Sequence, residues 1–177
     1  AGINDWGGVS PVTPDHVIRT KPRPLVVAAP RAGGLDDFRH DTAAALADYA
    51  KNYRVSLARH VPGAAPADAM PRVTLVPGLG LFGLGTSAAD AAIAADIAAT
   101  TIDVVTGAEA MGRYESAAEA DMFAIKQWSL ERAKLGERSG GALAGHVVVV
   151  TGGGGVIGAA IVRAFAAEGA EVAVLDL

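Results

Sequence analysis

The stretch that decides the fold is Thr151-Gly152-Gly153-Gly154-Gly155-Val156-Ile157-Gly158. It lies between a β-branched run at residues 146–151 and an apolar segment at 157–168 whose spacing predicts a helix. A second apolar run at 171–175 follows, so the order strand, helix, strand predicts a parallel β-α-β unit. The continuous apolar character of 146–151 indicates a strand buried on both faces.

The glycines of this stretch have the spacing expected of a nucleotide-binding turn. Gly153, Gly155 and Gly158 satisfy G-x-G-x-x-G, where glycine allows positive φ, close approach of a phosphate and tight helix–strand packing. The following helix N-terminus offers unpaired N–H groups to a pyrophosphate. Asp176 ends the second strand, where a carboxylate accepts hydrogen bonds from the adenosine ribose and repels a 2′-phosphate, which favours NAD over NADP. The predicted cofactor-binding residues are Thr151, Gly152, Gly153, Gly155, Val156, Ile157, Gly158, Asp176 and Leu177.

The predicted fold class is α/β: the start of a Rossmann, doubly wound parallel domain at 139–177, preceded by a smaller mixed α/β linking region at 1–138. Within that region we expect an irregular surface segment at 1–24, because it is rich in Gly and Pro. The remaining expected elements are strands at 25–29 and 73–76, helices at 36–60, from about 87 and at 117–135, breaks at Gly107 and Gly112, and a linker at 136–141.

A second glycine-rich stretch, residues 77–85, also contains G-x-G-x-x-G through Gly78, Gly80 and Gly83. One interpretation is a second phosphate site, with the helix start at 85–87 as the anion contact. The other is a close-packed turn, which we favour because Leu79, Leu81, Phe82 and Leu84 would crowd a phosphate.

Composition narrows the class of protein. The 177 residues are 51% hydrophobic and carry a net charge of −4, which predicts a buried core and neither nucleic acid nor an anionic membrane as partner. The absence of Cys excludes thiolate metal sites and fits a reducing cytoplasm. We expect no membrane span, since Asp90 and Asp96 interrupt the Ala-rich stretch 88–101. The chain lacks an initiator Met and ends at a strand, so we interpret it as a fragment of a longer protein.

Residues 143–177 resemble the short-chain dehydrogenase/reductase superfamily. Thr151, Gly152 and Gly158 match its T-G-x(3)-G-x-G pattern, whereas Val156 stands where classical members have Gly, a spacing closer to the extended members. The stretches 13–21, 75–85 and 128–136 further resemble bacterial bifunctional proteins in which a class II aldolase region precedes a short-chain dehydrogenase.

This resemblance implies rhamnulose-1-phosphate aldolase activity upstream, a NAD-dependent dehydrogenase that oxidises the released lactaldehyde, a role in rhamnose catabolism and a homo-oligomer. It also implies a metal, usually zinc, held by histidines in the aldolase region. Two alternatives stay open: an extended nucleotide-sugar epimerase or dehydratase, and a non-catalytic interaction fragment.

Several expectations concern what this sequence does not carry. It has no Tyr-x-x-x-Lys, which short-chain dehydrogenases use for proton transfer, so we assign no catalytic residue and expect the fragment alone to be inactive. Its four histidines, His16, His40, His60 and His146, include no His-x-His pair, so we place no metal here. We expect His16 to be a surface or capping residue and Trp6 and Trp128 to be packing anchors. The basic residues Arg19, Lys21 and Arg23 could face a sugar phosphate, although a solvated loop is favoured.

Overall fold

A computed structural model describes residues 3–64, 68–127 and 141–177. The chain divides into two compact units, residues 1–85 with 90–135 and residues 86–89 with 136–177. Both units combine helices with strands, so the predicted α/β class is confirmed. The predicted boundary at residue 138 and most of the predicted linker lie outside the described residues, as do Trp128 and the 128–136 stretch.

The regular elements are as follows, in chain order. Two 3-10 helices, Ile3–Gly8 and Pro14–His16, precede α1 (Val17–Thr20), β1 (Leu25–Val26), α2 (Leu35–His60), β2 (Val73–Val76), β3 (Gly80–Gly83), α3 (Ala88–Met111), α4 (Glu119–Gln127), β4 (Val147–Thr151), α5 (Val156–Ala167) and β5 (Glu171–Leu175).

The first unit is built on a three-stranded sheet of order β1-β2-β3, in which β1 is parallel and β3 antiparallel to β2. Alternate side chains of a strand point to opposite faces, so Val73 and Leu75 pack against α3 and Val76 packs against α2. Two hydrophobic clusters flank this sheet: Leu25, Val27 and Val76 with Phe38, Ala45, Leu46 and Tyr49, and Val73, Leu75, Ala94 and Ala98 with Trp6, Val26, Leu81 and Ile102. A third cluster consists of Ala50, Tyr53, Leu57, Ala69 and Phe123. Trp6 is therefore a packing residue, as predicted.

Helix α2 matches the predicted 36–60 closely. Asp36 and Asp37 lie in its first turn and Arg59 and His60 in its last, which places charges of the favourable sign at both ends of the helix dipole. Its C-terminal half carries Tyr53, which packs against Phe123 of α4 with ring centroids 5.6 Å apart.

Helix α3 corrects two sequence-based expectations. Gly107 does not end it, because a single helical glycine costs only about 1 kcal/mol, and α3 continues to Met111, one residue before Gly112. Its 24 residues are also long and apolar enough to cross a membrane by length and composition, contrary to the expectation that no such segment exists. The buried residues of α3 are Ala94, Ala98 and Val105, and the two alanines pack against the sheet.

The N-terminal segment is not an irregular surface loop as predicted. Its 3-10 helices and α1 are packed into the unit, and Val17 and Thr20 are buried beneath neighbouring elements, with α1 lying against α4. His16 occupies the N-cap position of α1, but its side chain makes no capping hydrogen bond. The expected solvated basic loop is correct for the exposed Arg23 and wrong for Lys21, which is 3% exposed.

The second glycine-rich stretch forms a β-hairpin, not a phosphate cradle. β2 and β3 pair from Val73 opposite Gly83 to Val76 opposite Gly80, and the turn lies between them. A Cβ on Gly83 would overlap the carbonyl oxygen of Ala91 and lie 2.8 Å from the amide nitrogen of Ala95. Close packing is confirmed at Gly83, because this glycine lets β3 lie directly against α3.

The second unit is the predicted β-α-β unit. β4 and β5 are parallel, with Val147 opposite Glu171 and Thr151 opposite Leu175, and α5 connects them. The expectation that the first strand is buried on both faces is wrong in this structure: Val147 is 75% and Val149 58% exposed. Within the described residues the sheet of this unit has two strands, and the face of β4 that carries Val147, Val149 and Thr151 is exposed.

Candidate functional site

The glycine-rich turn between β4 and α5 is fixed by backbone hydrogen bonds. The Gly152 amide donates to the carbonyl of Leu175 at 2.7 Å, which ties the turn to the neighbouring strand, and the Gly155 amide donates to the Gly152 carbonyl at 3.2 Å. Gly152 has φ of +70°, a left-handed conformation that side-chain-bearing residues rarely adopt. The turn therefore has a definite shape at the carboxyl end of β4.

Helix α5 begins directly after this turn. The amide of Ala159 donates to the carbonyl of Gly155 at 2.8 Å, which is the first hydrogen bond of the helix. Within the described turn and helix, the amides of Val156, Ile157 and Gly158 consequently have no intrahelical acceptor. These three N–H groups and the positive end of the helix dipole form a place where an anion is stabilised.

Asp176 lies one strand over and contacts the turn. Its Oδ2 accepts a hydrogen bond from the Gly154 amide at 2.6 Å, and its Oδ1 accepts one from the Leu177 amide at 2.8 Å. Hydrogen bonds from the backbone N–H groups of Leu177, Gly154 and Gly155 hold the pKa of this carboxyl below its usual range. The site thus places a solvent-facing carboxylate beside a set of backbone donors.

The glycines of the motif have different physical reasons. A Cβ on Gly158 would overlap the carbonyl oxygen of Gly152, and one on Gly153 would lie 2.6 Å from Cγ1 of Val174, so both positions are close-packed. A Cβ on Gly155 would meet only the Gly152 oxygen at 3.4 Å, which is an ordinary contact. The protein itself therefore leaves space at Gly155.

The structure brings the predicted residues together along one edge. Thr151 is the last residue of β4, and the glycine-rich turn and the first turn of α5 come directly after it. Asp176, followed by Leu177, contacts the same turn from the end of β5. Val156 is 91% exposed, so its side chain is not needed for packing. The prediction missed Gly154, the direct partner of Asp176, because the motif treats that position as variable.

The site fits a dinucleotide on the chemistry of its groups. Unpaired amides at a helix N-terminus suit a pyrophosphate, and an ionised carboxylate one strand away suits ribose hydroxyls. Among the residues that the structure describes, no group of three or more His, Asp or Glu side chains could hold a metal ion.

Comparisons with known proteins relate the chain to two kinds of enzyme. It is 32% identical over 167 residues to "Uncharacterized oxidoreductase YuxG" of Bacillus subtilis, a match that covers 93% of this chain and 24% of that protein. It is also 75% identical over 24 residues to "FO synthase" of Nocardia farcinica, covering 14% of this chain and 3% of that protein. The chain thus spans about a quarter of the length of the oxidoreductase.

No solved structure matches the chain. Residues 1–135 match the family described as "Aldolase class II, second domain", a range that covers the whole first unit and residues 86–89 of the second. That match extends over more than half of the chain. The chain belongs to the aldolase class II second-domain family.

Proposed function

We propose that the second unit binds the adenine half of NAD, as the cofactor-binding part of a short-chain-type oxidoreductase. The observation that carries this proposal is the contact between Asp176 and the Gly154 amide, which joins the end of β5 to the glycine turn. The relative named as an oxidoreductase supports it, since its match covers 93% of the chain.

Each group of the site contacts a particular part of the bound NAD in this proposal. The amides of Val156, Ile157 and Gly158 donate to the pyrophosphate, and the open space at Gly155 lets a phosphate approach the backbone. Asp176 accepts hydrogen bonds from the adenosine ribose hydroxyls, and its negative charge disfavours the 2′-phosphate of NADP. NAD supplies hydride acceptance when bound; we assign no catalytic residue within the 177 residues.

For the whole protein we propose a bifunctional enzyme that combines a class II aldolase with a NAD-dependent dehydrogenase. The aldolase-family match over residues 1–135 favours this assignment over a nucleotide-sugar epimerase. The sequence resemblance suggests rhamnulose 1-phosphate as the aldolase substrate, with zinc in the aldolase part, and lactaldehyde as the substrate of the dehydrogenase. We further propose a homo-oligomer in the cytoplasm that acts in rhamnose catabolism.

Calorimetric titration of the whole protein with NAD and with NADP tests the cofactor proposal, because the 177 residues alone are expected to bind NAD weakly or not at all. We expect Asp176→Asn to weaken NAD binding about tenfold and to reduce the preference for NAD over NADP, because the ribose loses a charged acceptor. Asp103→Asn, which changes an exposed carboxylate on α3, is the matched control and should leave the titration unchanged. No NAD binding, or equal binding by both variants, contradicts the proposal and favours a non-catalytic interaction role.

A further inference from the structure

The first unit contains a buried lysine that the nucleotide site does not use. Lys21 is 3% exposed, and its φ of +66° is the only positive value at a non-glycine residue in the described part of the chain. Its ammonium donates to the backbone carbonyl of Asp68, lies 3.8 Å from Oδ2 of the Asp68 carboxylate, and lies 4.4 Å from the centre of the Tyr53 ring. The surrounding structure therefore holds Lys21 in a strained backbone conformation.

Arg72 contacts the same carboxylate, and the positive charge of Lys126 also acts on it. Arg72 Nη2 lies 2.7 Å from Asp68 Oδ2, and the Lys126 ammonium donates to the Val17 carbonyl at 3.3 Å. We call the group formed by Lys21, Arg72 and Lys126 with Asp68 the cation cluster. Its charge is unbalanced, because the single carboxylate of Asp68 pairs with Lys21 and Arg72 while the charge of Lys126 is also present.

Burial and the neighbouring charges change the pKa values of the two lysines. Burial lowers the pKa of Lys126 to about 8, and repulsion from Lys21 and Arg72 adds to the effect against the attraction of Asp68. Burial likewise lowers the pKa of Lys21 to about 8, with Asp68 opposing and Arg72 and Arg54 adding to the shift. A buried charge is stable when an opposite charge is paired with it. Asp68 is the one carboxylate of the cluster, so the cluster lacks negative charge.

A neutral donor in the same place also lacks an acceptor. Tyr53 is 6% exposed, and its hydroxyl has no hydrogen-bond partner among the described residues. Burial raises the pKa of Tyr53 to about 12, so the hydroxyl keeps its proton and remains a donor at neutral pH. An unsatisfied buried donor destabilises the folded protein, and an oxyanion that accepts its hydrogen bond would relieve this.

We propose that Lys21, Arg72, Lys126 and Tyr53 form a binding site for a phosphate group. Lys and Arg are the side chains that bind phosphate through charge-assisted hydrogen bonds, and a phosphate oxygen supplies the acceptor that the Tyr53 hydroxyl lacks. This proposal concerns the first unit and does not depend on NAD binding by the second.

The cation cluster is open to solvent on one side. The side chain of Asp68 is 47% and that of Arg72 25% exposed, so a small anion can reach them. Tyr53 also lines a cleft of about 200 Å³ together with Arg23 and Tyr49. Glu119, a carboxylate that lines the same cleft, lies 3.3 Å from Nε2 of His60.

Calorimetry and thermal melting with inorganic phosphate test the site, with chloride at equal ionic strength as reference. We expect Lys126→Met to weaken phosphate binding about tenfold and Tyr53→Phe, which keeps the ring beneath Lys21, about threefold. Without phosphate, Lys126→Met should melt no lower than the unchanged protein, since an unbalanced buried cation is lost. Arg39→Gln, an exposed cation elsewhere on α2, is the control.

A second arm identifies the source of the phosphate group. Tighter binding of a ketose 1-phosphate than of inorganic phosphate assigns the site to a sugar phosphate, and equal binding assigns it to phosphate itself. The proposal is overturned if phosphate stabilises the protein no more than chloride does, or if Lys126→Met and Tyr53→Phe bind phosphate as tightly as the Arg39→Gln control.

Discussion

Exchanging single glycines of the motif for alanine should separate the glycines that fold the turn from the glycine that admits a ligand. In Gly158→Ala, the new Cβ overlaps the Gly152 carbonyl oxygen and lies 2.7 Å from its carbonyl carbon and 2.8 Å from the Gly153 Cα. All three neighbours are backbone atoms, so α5 and the turn must move apart by about 1 Å before the new Cβ reaches a separation that real Cβ atoms show. Overpacking of this kind costs about 1–3 kcal/mol. Replacing a helical glycine by alanine returns at most about 1 kcal/mol.

The clash therefore exceeds the helix-propensity gain, and we expect Gly158→Ala to be destabilised by about 1–2 kcal/mol. Gly155→Ala is the matched control within the motif, because φ at Gly155 is −71° and its new Cβ makes only an ordinary contact. It should keep the stability of the unchanged protein and lose about tenfold in NAD affinity, since the methyl group keeps a phosphate from the backbone.

Urea unfolding followed by circular dichroism measures the first effect, and calorimetry with NAD measures the second. The reasoning is refuted if Gly158→Ala is as stable as the unchanged protein or more stable, because α5 would then not approach the Gly152 carbonyl. It is also refuted if Gly155→Ala binds NAD normally, because the open space at that position would then serve no ligand.

Two further predictions concern the first unit. The lysines of the cation cluster have pKa values of about 8 when folded against 10.5 unfolded, so the unfolded chain binds more protons and stability should rise from pH 8 to pH 10, by about 2 kcal/mol for each lysine. Above pH 10 stability should fall, because the pKa of Tyr53 is about 12 in the folded protein and 10.0 in the unfolded chain. Urea unfolding at a series of pH values measures both changes. A stability that does not vary with pH, or the same pH profile in Lys126→Met, would contradict the prediction. Gly83→Ala should lose about 2 kcal/mol by clashing with the Ala91 backbone, whereas Gly107→Ala, which has no neighbour within 4 Å, should be neutral or stabilising in thermal melts.

The second unit could be predicted from the sequence because its signals are local. The turn, the helix and both strands follow one another within 31 residues, and backbone geometry alone brings Asp176 to the turn. Exposure could not be predicted in the same way. The apolar residues of β4 are typical of a strand that is buried on both faces. In this two-stranded sheet, however, Val147 and Val149 are exposed to solvent.

The cation cluster could not be found from the sequence, because its members are brought together by tertiary packing. Lys21 and Lys126 are 105 positions apart and meet only because α1 packs against α4. In the sequence, Lys21 is one of several basic residues in a proline-rich stretch, and such a stretch is typical of a solvated loop. Buried charge of this kind depends on the fold and leaves no periodic signal in the chain.

The bond between Asp176 and Gly154 couples the last residues of the second unit to the shape of its turn. Fraying at the end of β5 removes the acceptor of the Gly154 amide, so exchange of that amide with solvent deuterium reports the opening of a segment 22 residues away. A nucleotide whose ribose engages the same carboxylate would hold that end in place and slow the exchange.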